Sequence, residues 1–178
     1  TFFLMCLTCT IWNMGASLAY SSNRESLALF WGKFSYLGVS LIAPTSFLFI
    51  SFFLKIKRYV LRIVGFSWSF FFILISFTTN YFINSDIYKY KWGNYPKPGP
   101  LFNFFVLGFV FFWLINPITL YLAYKNTFSP FERNRMKIVF SGFAIVTLAI
   151  YDFLPEYKIG IYPLGFIPCI FFLSYSKE

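Results

Sequence analysis

The sequence predicts an all-α fold, a polytopic transmembrane helical bundle, and two observations support this prediction. Hydrophobic residues make up 58% of the 178 residues and charged residues only 12%, whereas a soluble domain has about 25% charged residues. The charged residues also cluster between long apolar segments, which is the pattern of a protein that crosses a bilayer several times. We therefore expect residues 1–178 to form a single transmembrane domain.

Six apolar segments, A to F in chain order, are the predicted spans. They cover about residues 1–20, 29–54, 63–83, 101–124, 138–154 and 161–175. A spanning helix needs about 20 residues and at least about 17, so segment E only just suffices and segment F is too short. Because the chain starts inside segment A and ends soon after this short segment F, we expect it to be a fragment of a longer protein.

Proline occurs inside two of these segments, as Pro44 in segment B and Pro117 in segment D. Proline lacks a backbone donor, but a spanning helix tolerates it as a kink because neighbouring groups can satisfy the freed carbonyl. Pro44, Pro117 and the adjacent Asn116 are therefore candidate hinges. Each is either a passive bend or a point at which motion passes along the helix.

The longest polar link covers residues 84–99 and is rich in aromatic residues and lysines. Alternation over Ile87–Trp92 predicts a short strand or hairpin lying over the membrane surface. Its aromatic residues have two interpretations. They form either an aromatic belt at the interface with lysines beside it, or a lid over a ligand. Trp92 and Tyr90 are the candidate sensing residues of this link.

The basic residues predict the orientation in the membrane. Nine cations lie on one side of the predicted bundle: Lys55, Lys57, Arg58, Arg62, Lys125, Arg133, Arg135, Lys137 and Lys177. The other side has six: Arg24, Lys33, Lys89, Lys91, Lys97 and Lys158. The positive-inside rule therefore places the side with nine cations, together with the C-terminus, in the cytoplasm. A topogenic cluster, with contact to acidic lipid headgroups as a second role, comprises Lys55, Lys57, Arg58, Arg62, Arg133, Arg135 and Lys137.

Asp152 is the one acidic residue inside an apolar segment of this sequence. An ionised carboxylate is costly in hydrocarbon, so we expect it at an interface, in a wet cavity or beside a cation. Three interpretations remain open. Asp152 faces water or headgroups, or it contacts a ligand, or it pairs with Lys33 at the start of segment B and holds two helices in one of two registers. Glu156 and Tyr162 complete this set of candidate switch residues.

Histidine is absent from the sequence, which bears on catalysis. Its absence excludes a phospho-accepting histidine, a catalytic triad with histidine, a histidine metal site and haem ligation by histidine in this chain. The sequence also has no glycine-rich phosphate loop and no plausible pair of catalytic carboxylates, so we expect no catalytic residue, no metal and no cofactor. The net charge of +9 is explained by topology, so we expect no nucleic acid partner.

Motifs along nearly the whole chain, taken in order, resemble one known family. They are Trp31–Gly38 with Ile42–Pro44, Thr79–Asn80, Tyr95–Leu101, Arg133–Lys137, Asp152–Tyr157 and Tyr162–Pro168. The resemblance is to the N-terminal seven-transmembrane sensor region of bacterial histidine kinases and related signalling proteins. It implies a further helix before segment A. It also implies a cytoplasmic kinase, cyclase, diguanylate cyclase or phosphatase module after segment F, and homodimerisation.

These observations predict a sensory input module of the bacterial inner membrane, which relays an external or membrane signal without catalysing a reaction. The stimulus itself is not identified. A small transporter or channel is the alternative, but it requires polar residues along several helices at mid-membrane and often an inverted repeat. Asn13 and Asn116 are the good candidates for such residues, and the two halves of the sequence show no repeat. A lipid-modifying membrane enzyme is a further alternative, against which the absence of histidine argues.

Overall fold

The computed structural model describes residues 1–161, most of which are helical. In chain order the elements are α1 (Phe2–Ser21), α2 (Glu25–Phe53), α3 (Tyr59–Thr78), β1 (Ile83–Tyr90), β2 (Gly93–Pro98), α4 (Phe102–Asn126), α5 (Pro130–Thr147) and a 3₁₀ helix (Leu148–Tyr157). Within the described residues, α1 to α4 and the continuous helical segment Pro130–Tyr157 are long and apolar enough to cross a membrane. The predicted polytopic helical bundle is confirmed, and segment F lies outside the described residues from residue 162 onward.

Segments A, B and D coincide closely with α1, α2 and α4, whereas segment C differs at its end. Helix α3 ends at Thr78, not near residue 83 as predicted. The apolar residues Phe82 and Ile83 extend the hydropathy signal beyond the helix, but they are buried at the base of the hairpin. Hydropathy alone does not separate a spanning residue from a buried strand residue.

Segment E also differs from the structure, at both of its ends. Helix α5 begins at Pro130, well before the predicted start at Ile138. Proline suits the first turn of a helix, where its missing N–H has no partner to lose. Beyond Thr147 the chain continues as the 3₁₀ helix to Tyr157, past the predicted end at Leu154, and Lys158 ends it in the left-handed conformation with φ 63°.

The chain divides into two compact units, Thr1–Leu114 and Ile115–Glu178. The division falls inside α4, immediately before Asn116 and Pro117. In the described part of the second unit, α5 leads without a break into the 3₁₀ helix.

Helix α2 is the central element of the first unit, and α1, α3 and both strands pack against it. Its most extensive packing is with α1, where glycines bring the two backbones together. A Cβ on Gly15 would lie 2.7 Å from Ser35 N, and a Cβ on Gly38 would meet the backbone of Thr8 and Trp12. Small residues permit this close approach between spanning helices.

A cluster of buried aromatic residues joins α2, α3, the hairpin and the first turn of α4. The members are Tyr36, Phe72, Phe82, Phe102 and Phe105. Phe82, at the base of the hairpin, lies 5.3 Å from Tyr36, 5.1 Å from Phe72 and 4.8 Å from Phe105 between ring centroids. Such edge-to-face and tilted pairs stabilise by about 0.5–1.5 kcal/mol each beyond their area burial. The cluster therefore fixes the base of the hairpin to three helices.

The predicted hairpin is confirmed. Strands β1 and β2 pair antiparallel, with Tyr90 opposite Gly93 next to the turn formed by Lys91 and Trp92. The hairpin contacts the N-terminal half of α2, through Gly32 among others. The hairpin and the turn after Phe53 therefore lie at opposite ends of α2.

Candidate functional site

The turn of the hairpin is fastened to the end of α1. A Cβ on Gly93 would lie 2.5 Å from the carbonyl oxygen of Tyr20, so strand and helix meet backbone to backbone. Gly93 has φ +148°, a conformation that L side chains rarely adopt. Next to it, Asn94 Nδ2 donates to the carbonyl oxygen of Ser22 at 2.6 Å. This bond satisfies a carbonyl just beyond the last turn of α1.

The two strands of the hairpin are fastened to α2. Lys89 Nζ lies 2.5 Å from Glu25 Oε1 in the first turn of α2. Both side chains are about two-thirds exposed, at 67% and 63%, so the pair contributes at most about 1 kcal/mol. Pro96 lies against Gly32, where a Cβ would be 3.0 Å from Pro96 Cγ. We refer to four contacts together as the hairpin dock: Gly93 on Tyr20, Asn94 on Ser22, Lys89 on Glu25 and Pro96 on Gly32.

The two predicted sensing residues of the hairpin, Trp92 and Tyr90, are stacked on each other with centroids 4.9 Å apart and planes at 10°. Trp92 also meets Tyr20 edge-on at 5.2 Å, and Tyr20 stacks on Tyr95 at 5.8 Å. Tyr20 is not among the residues predicted from the sequence, although an aromatic residue at the end of segment A, just before a polar loop, is a signal for an interface position. Both interpretations of these aromatic residues, a belt at the membrane interface and a lid over a ligand, stay predictions.

A hinge role for Pro44 stays a prediction, but the expected satisfaction of the carbonyl that this proline frees is confirmed. A proline in a helix removes the hydrogen bond to the carbonyl four residues earlier, which here belongs to Ser40. Ser69 Oγ of α3 donates to that carbonyl at 2.5 Å. The same hydroxyl lies 3.1 Å from Gly65 O of its own helix. The neighbouring helix thus supplies the donor that Pro44 lacks.

Replacing Ser69 with alanine is expected to cost about 1 kcal/mol of unfolding free energy, since the Ser40 carbonyl would lose its donor inside the bundle. In a Pro44→Ala background the backbone N–H returns, so the same replacement is expected to cost almost nothing. A double-mutant cycle on unfolding in detergent measures the coupling. Ser67→Ala, at an exposed position of α3, is the control. Equal costs of Ser69→Ala in both backgrounds would show that the hydroxyl does not replace the missing donor.

The second pair of candidate hinges lies in α4. Asn116 is fully buried and Pro117 half-buried, and the helix runs through both. The division of the chain into two compact units falls directly before them. A hinge role for Asn116 and Pro117 stays a prediction.

Two arginines of the topogenic cluster, Arg62 and Arg133, also have a structural role at the turns before their helices. Arg62 Nη2 donates to Ile56 O at 2.9 Å, and Arg133 Nε donates to Thr127 O at 2.7 Å. In both cases the guanidinium also lies over an aromatic ring at the end of the preceding helix. Arg62 is 5.1 Å from the ring centroid of Phe52, and Arg133 is 5.5 Å from that of Tyr124. Each arginine therefore fastens the turn that precedes its own helix.

The remaining members of the cluster are exposed: Lys55, Lys57, Arg58, Arg135 and Lys137. Arg135 lies over the ring of Phe131 at 5.8 Å, and Lys137 lies 6.0 Å from the ring centroid of Tyr124.

The candidate switch residues of segments B and E belong to different units of the chain. Lys33 is half-buried on α2, Asp152 is half-buried in the 3₁₀ helix, and Glu156 is buried in the same 3₁₀ helix. Lys33 belongs to the first compact unit and Asp152 to the second, and their pairing stays a prediction. Tyr162 lies outside the described residues.

Comparison with protein families gives a match over almost the whole chain. A family model described as the N-terminal 7TM region of histidine kinase matches residues 1–176. Comparisons with curated proteins and with solved structures give no match. The family match agrees with the five helical segments, within residues 1–161, that are long and apolar enough to span a membrane.

Proposed function

Because the chain belongs to the family of N-terminal 7TM regions of histidine kinases, we propose that it relays an external or membrane signal to a cytoplasmic output domain. The family is a sensory transmembrane region and is not itself catalytic. Membership implies a multi-pass protein in a lipid bilayer and a cytoplasmic kinase domain. The signal in this proposal passes through the hairpin and α2.

The hairpin dock is the observation that supports this route. It holds a polar, aromatic hairpin on the end of the helix that is central to the first unit. A ligand can shift a conformational equilibrium only by binding its states with different affinity. A stimulus that favours an undocked hairpin would release Tyr20 and Glu25 together, and so would change the packing of α1 and α2 at one end. Helix α2 extends from this dock to the cationic turn after Phe53.

Orientation and assembly belong to the same proposal. The positive-inside rule places the hairpin outside the cell. It places the basic turns after α2 and after α4, and the C-terminus, in the cytoplasm. The membrane is then the inner membrane of a bacterium. Output modules of this kind work in pairs, so we propose a homodimer.

Exchanging the charges of the dock tests the proposed route. In the complete natural protein, Glu25→Lys and Lys89→Glu are each expected to change basal autophosphorylation in the same direction, by up to about fivefold, since an exposed pair is worth up to about 1 kcal/mol. The double variant restores the pair and is expected to restore the basal rate. Autophosphorylation in isolated membranes is the measurement.

The hairpin offers a matched control for this exchange. Lys97 Nζ lies 3.2 Å from Asp86 Oδ2, a pair within the hairpin that does not reach the helices. Reversing either charge alone, with Lys97→Glu or Asp86→Lys, is expected to leave the basal rate unchanged, because this pair is not part of the dock. If Lys97→Glu or Asp86→Lys alters the rate as much as Glu25→Lys or Lys89→Glu, the dock is not the route of the signal.

A further inference from the structure

Two cations converge on one aromatic ring at the turn between α4 and α5. The guanidinium carbon of Arg133 lies 5.5 Å, and Lys137 Nζ lies 6.0 Å, from the ring centroid of Tyr124 in the last turn of α4. Arg133 and Lys137 are four residues apart on α5, so they share one face of the helix. Like charges at this spacing destabilise a helix slightly. The arrangement therefore favours an anion that compensates both charges.

The protein supplies no such anion within residues 1–161. Neither Arg133 nor Lys137 forms an ion pair with an acidic side chain of the described chain. Glu132, the adjacent acidic residue, is exposed and pairs with neither of them. The cation–π contacts with Tyr124 orient the two charges but leave the charges themselves uncompensated.

Arg133 is also oriented for a ligand. Its Nε donates to Thr127 O at 2.7 Å, which fixes the plane of the guanidinium. The donors at its Nη atoms form no hydrogen bond with the described residues. Two terminal NH₂ groups in a fixed plane match the oxygen atoms of a phosphate, to which arginine binds in a bidentate manner.

The depth of this site identifies the class of ligand. Tyr124 lies in the last turn of one candidate span and α5 begins the next, so the site lies at the level of the headgroups. Two large aromatic residues at the turn and at the start of α5 are strongly exposed, Phe128 at 95% and Phe131 at 70%. Aromatic residues beside cations at this level are typical of contact with lipid.

We propose that Arg133, Lys137 and Tyr124 form a binding site for the phosphate group of an anionic phospholipid. The two cations bind the phosphate, and Phe128 and Phe131 contact the acyl chains beneath it. The site does not depend on the proposed sensing role, since it rests on the geometry of the turn and on the membrane location of the family. A free phosphate ion is the other possible source of the same chemistry, and the experiment separates the two.

Native mass spectrometry of the complete protein with phosphatidylglycerol or phosphatidylcholine tests the site. Lys137→Gln leaves the bond from Arg133 to Thr127 intact and is expected to weaken binding of phosphatidylglycerol about tenfold, the loss of one charge-assisted contact. Binding of phosphatidylcholine is expected to change less than about twofold, since a zwitterionic headgroup gains little from the second cation.

The α2–α3 turn provides a control for general charge. Lys57→Gln removes one exposed cation on the same predicted side and is expected to leave binding of phosphatidylglycerol within about twofold of the parent protein. Equal losses in the Lys57 and Lys137 variants would show a general surface attraction and would overturn the proposal. An unchanged affinity in Lys137→Gln would also overturn it. Competition by millimolar inorganic phosphate would assign the site to a soluble anion and overturn the lipid assignment.

Discussion

Gly38→Ala is expected to separate α1 from α2 and to cost about 1–3 kcal/mol of unfolding free energy, the range for overpacking in a close-packed interior. The added Cβ would lie 2.6 Å from Thr8 O and would also meet Trp12 N, and both are backbone atoms of α1. A flexible side chain could move aside, but a helix backbone can yield only by moving as a whole. Gly15 of α1 meets the backbone of Ser35 of α2 in the same manner. A displacement of the two helices at Gly38 therefore also loosens the contact at Gly15.

Gly65→Ala is the matched control for this prediction. Its Cβ would lie 3.4 Å from Pro44 Cβ and 3.6 Å from Phe112 Cε1, which is ordinary van der Waals contact. We expect its unfolding free energy to stay within about 0.5 kcal/mol of the parent protein. Equilibrium unfolding in mixed micelles compares the two variants. A Gly38 variant as stable as the Gly65 variant would show that α1 and α2 do not approach as closely as described.

Helices α1, α2 and α4 were predictable because a sufficient length of apolar residues marks each of them. The side of each helix that faces its neighbours was not predictable in this way. Phe70 is 57% exposed and Phe72 is completely buried, although both are phenylalanines in the middle of α3. In a soluble protein polarity separates these faces, but in a bilayer the lipid-facing residues are as apolar as the buried ones.

The close contact of α1 with α2 did leave a trace in the sequence. Gly15 and Ala19 are small residues four apart on α1, a spacing typical of helix pairs in membranes. For Pro44, the sequence predicted that a neighbour would satisfy the freed carbonyl. It did not identify Ser69, since Ser67 on the same helix is equally polar and only the fold separates them.

The candidate site was predicted in part. Alternation indicated the hairpin and its aromatic residues Tyr90 and Trp92, because that signal is local. Tyr20 and Ser22 were not found, since they meet the hairpin across a long stretch of chain. The basic residues at the turns after α2 and α4 were interpreted through topology and through contact with lipid headgroups. Their role in fastening the turns depends on where the carbonyl groups lie, which composition does not show.

Gly93→Ala is expected to release the hairpin turn from the end of α1. At φ +148° a residue with a side chain costs about 1–3 kcal/mol, and the added Cβ would lie 2.5 Å from Tyr20 O. Relief requires the strand to move away from the helix, which also breaks the bond from Asn94 to Ser22. We expect the amide hydrogens of β1 and β2 to exchange about ten to a hundred times faster, while those in the middle of α2 keep their protection.

Two comparisons make this result specific to the glycine. Lys91→Ala changes an exposed residue of the same turn and is expected to leave the exchange of the strands unchanged. Asn94→Ala removes the hydrogen bond to Ser22 without backbone strain. Its increase in the exchange rate of the strands is therefore expected to fall between those of Lys91→Ala and Gly93→Ala. Hairpin amides that exchange in Gly93→Ala as slowly as in the parent protein would mean that neither the strain nor the contact with Tyr20 exists. The hairpin would then be held by Phe82 and the aromatic cluster at its base, and not by its turn.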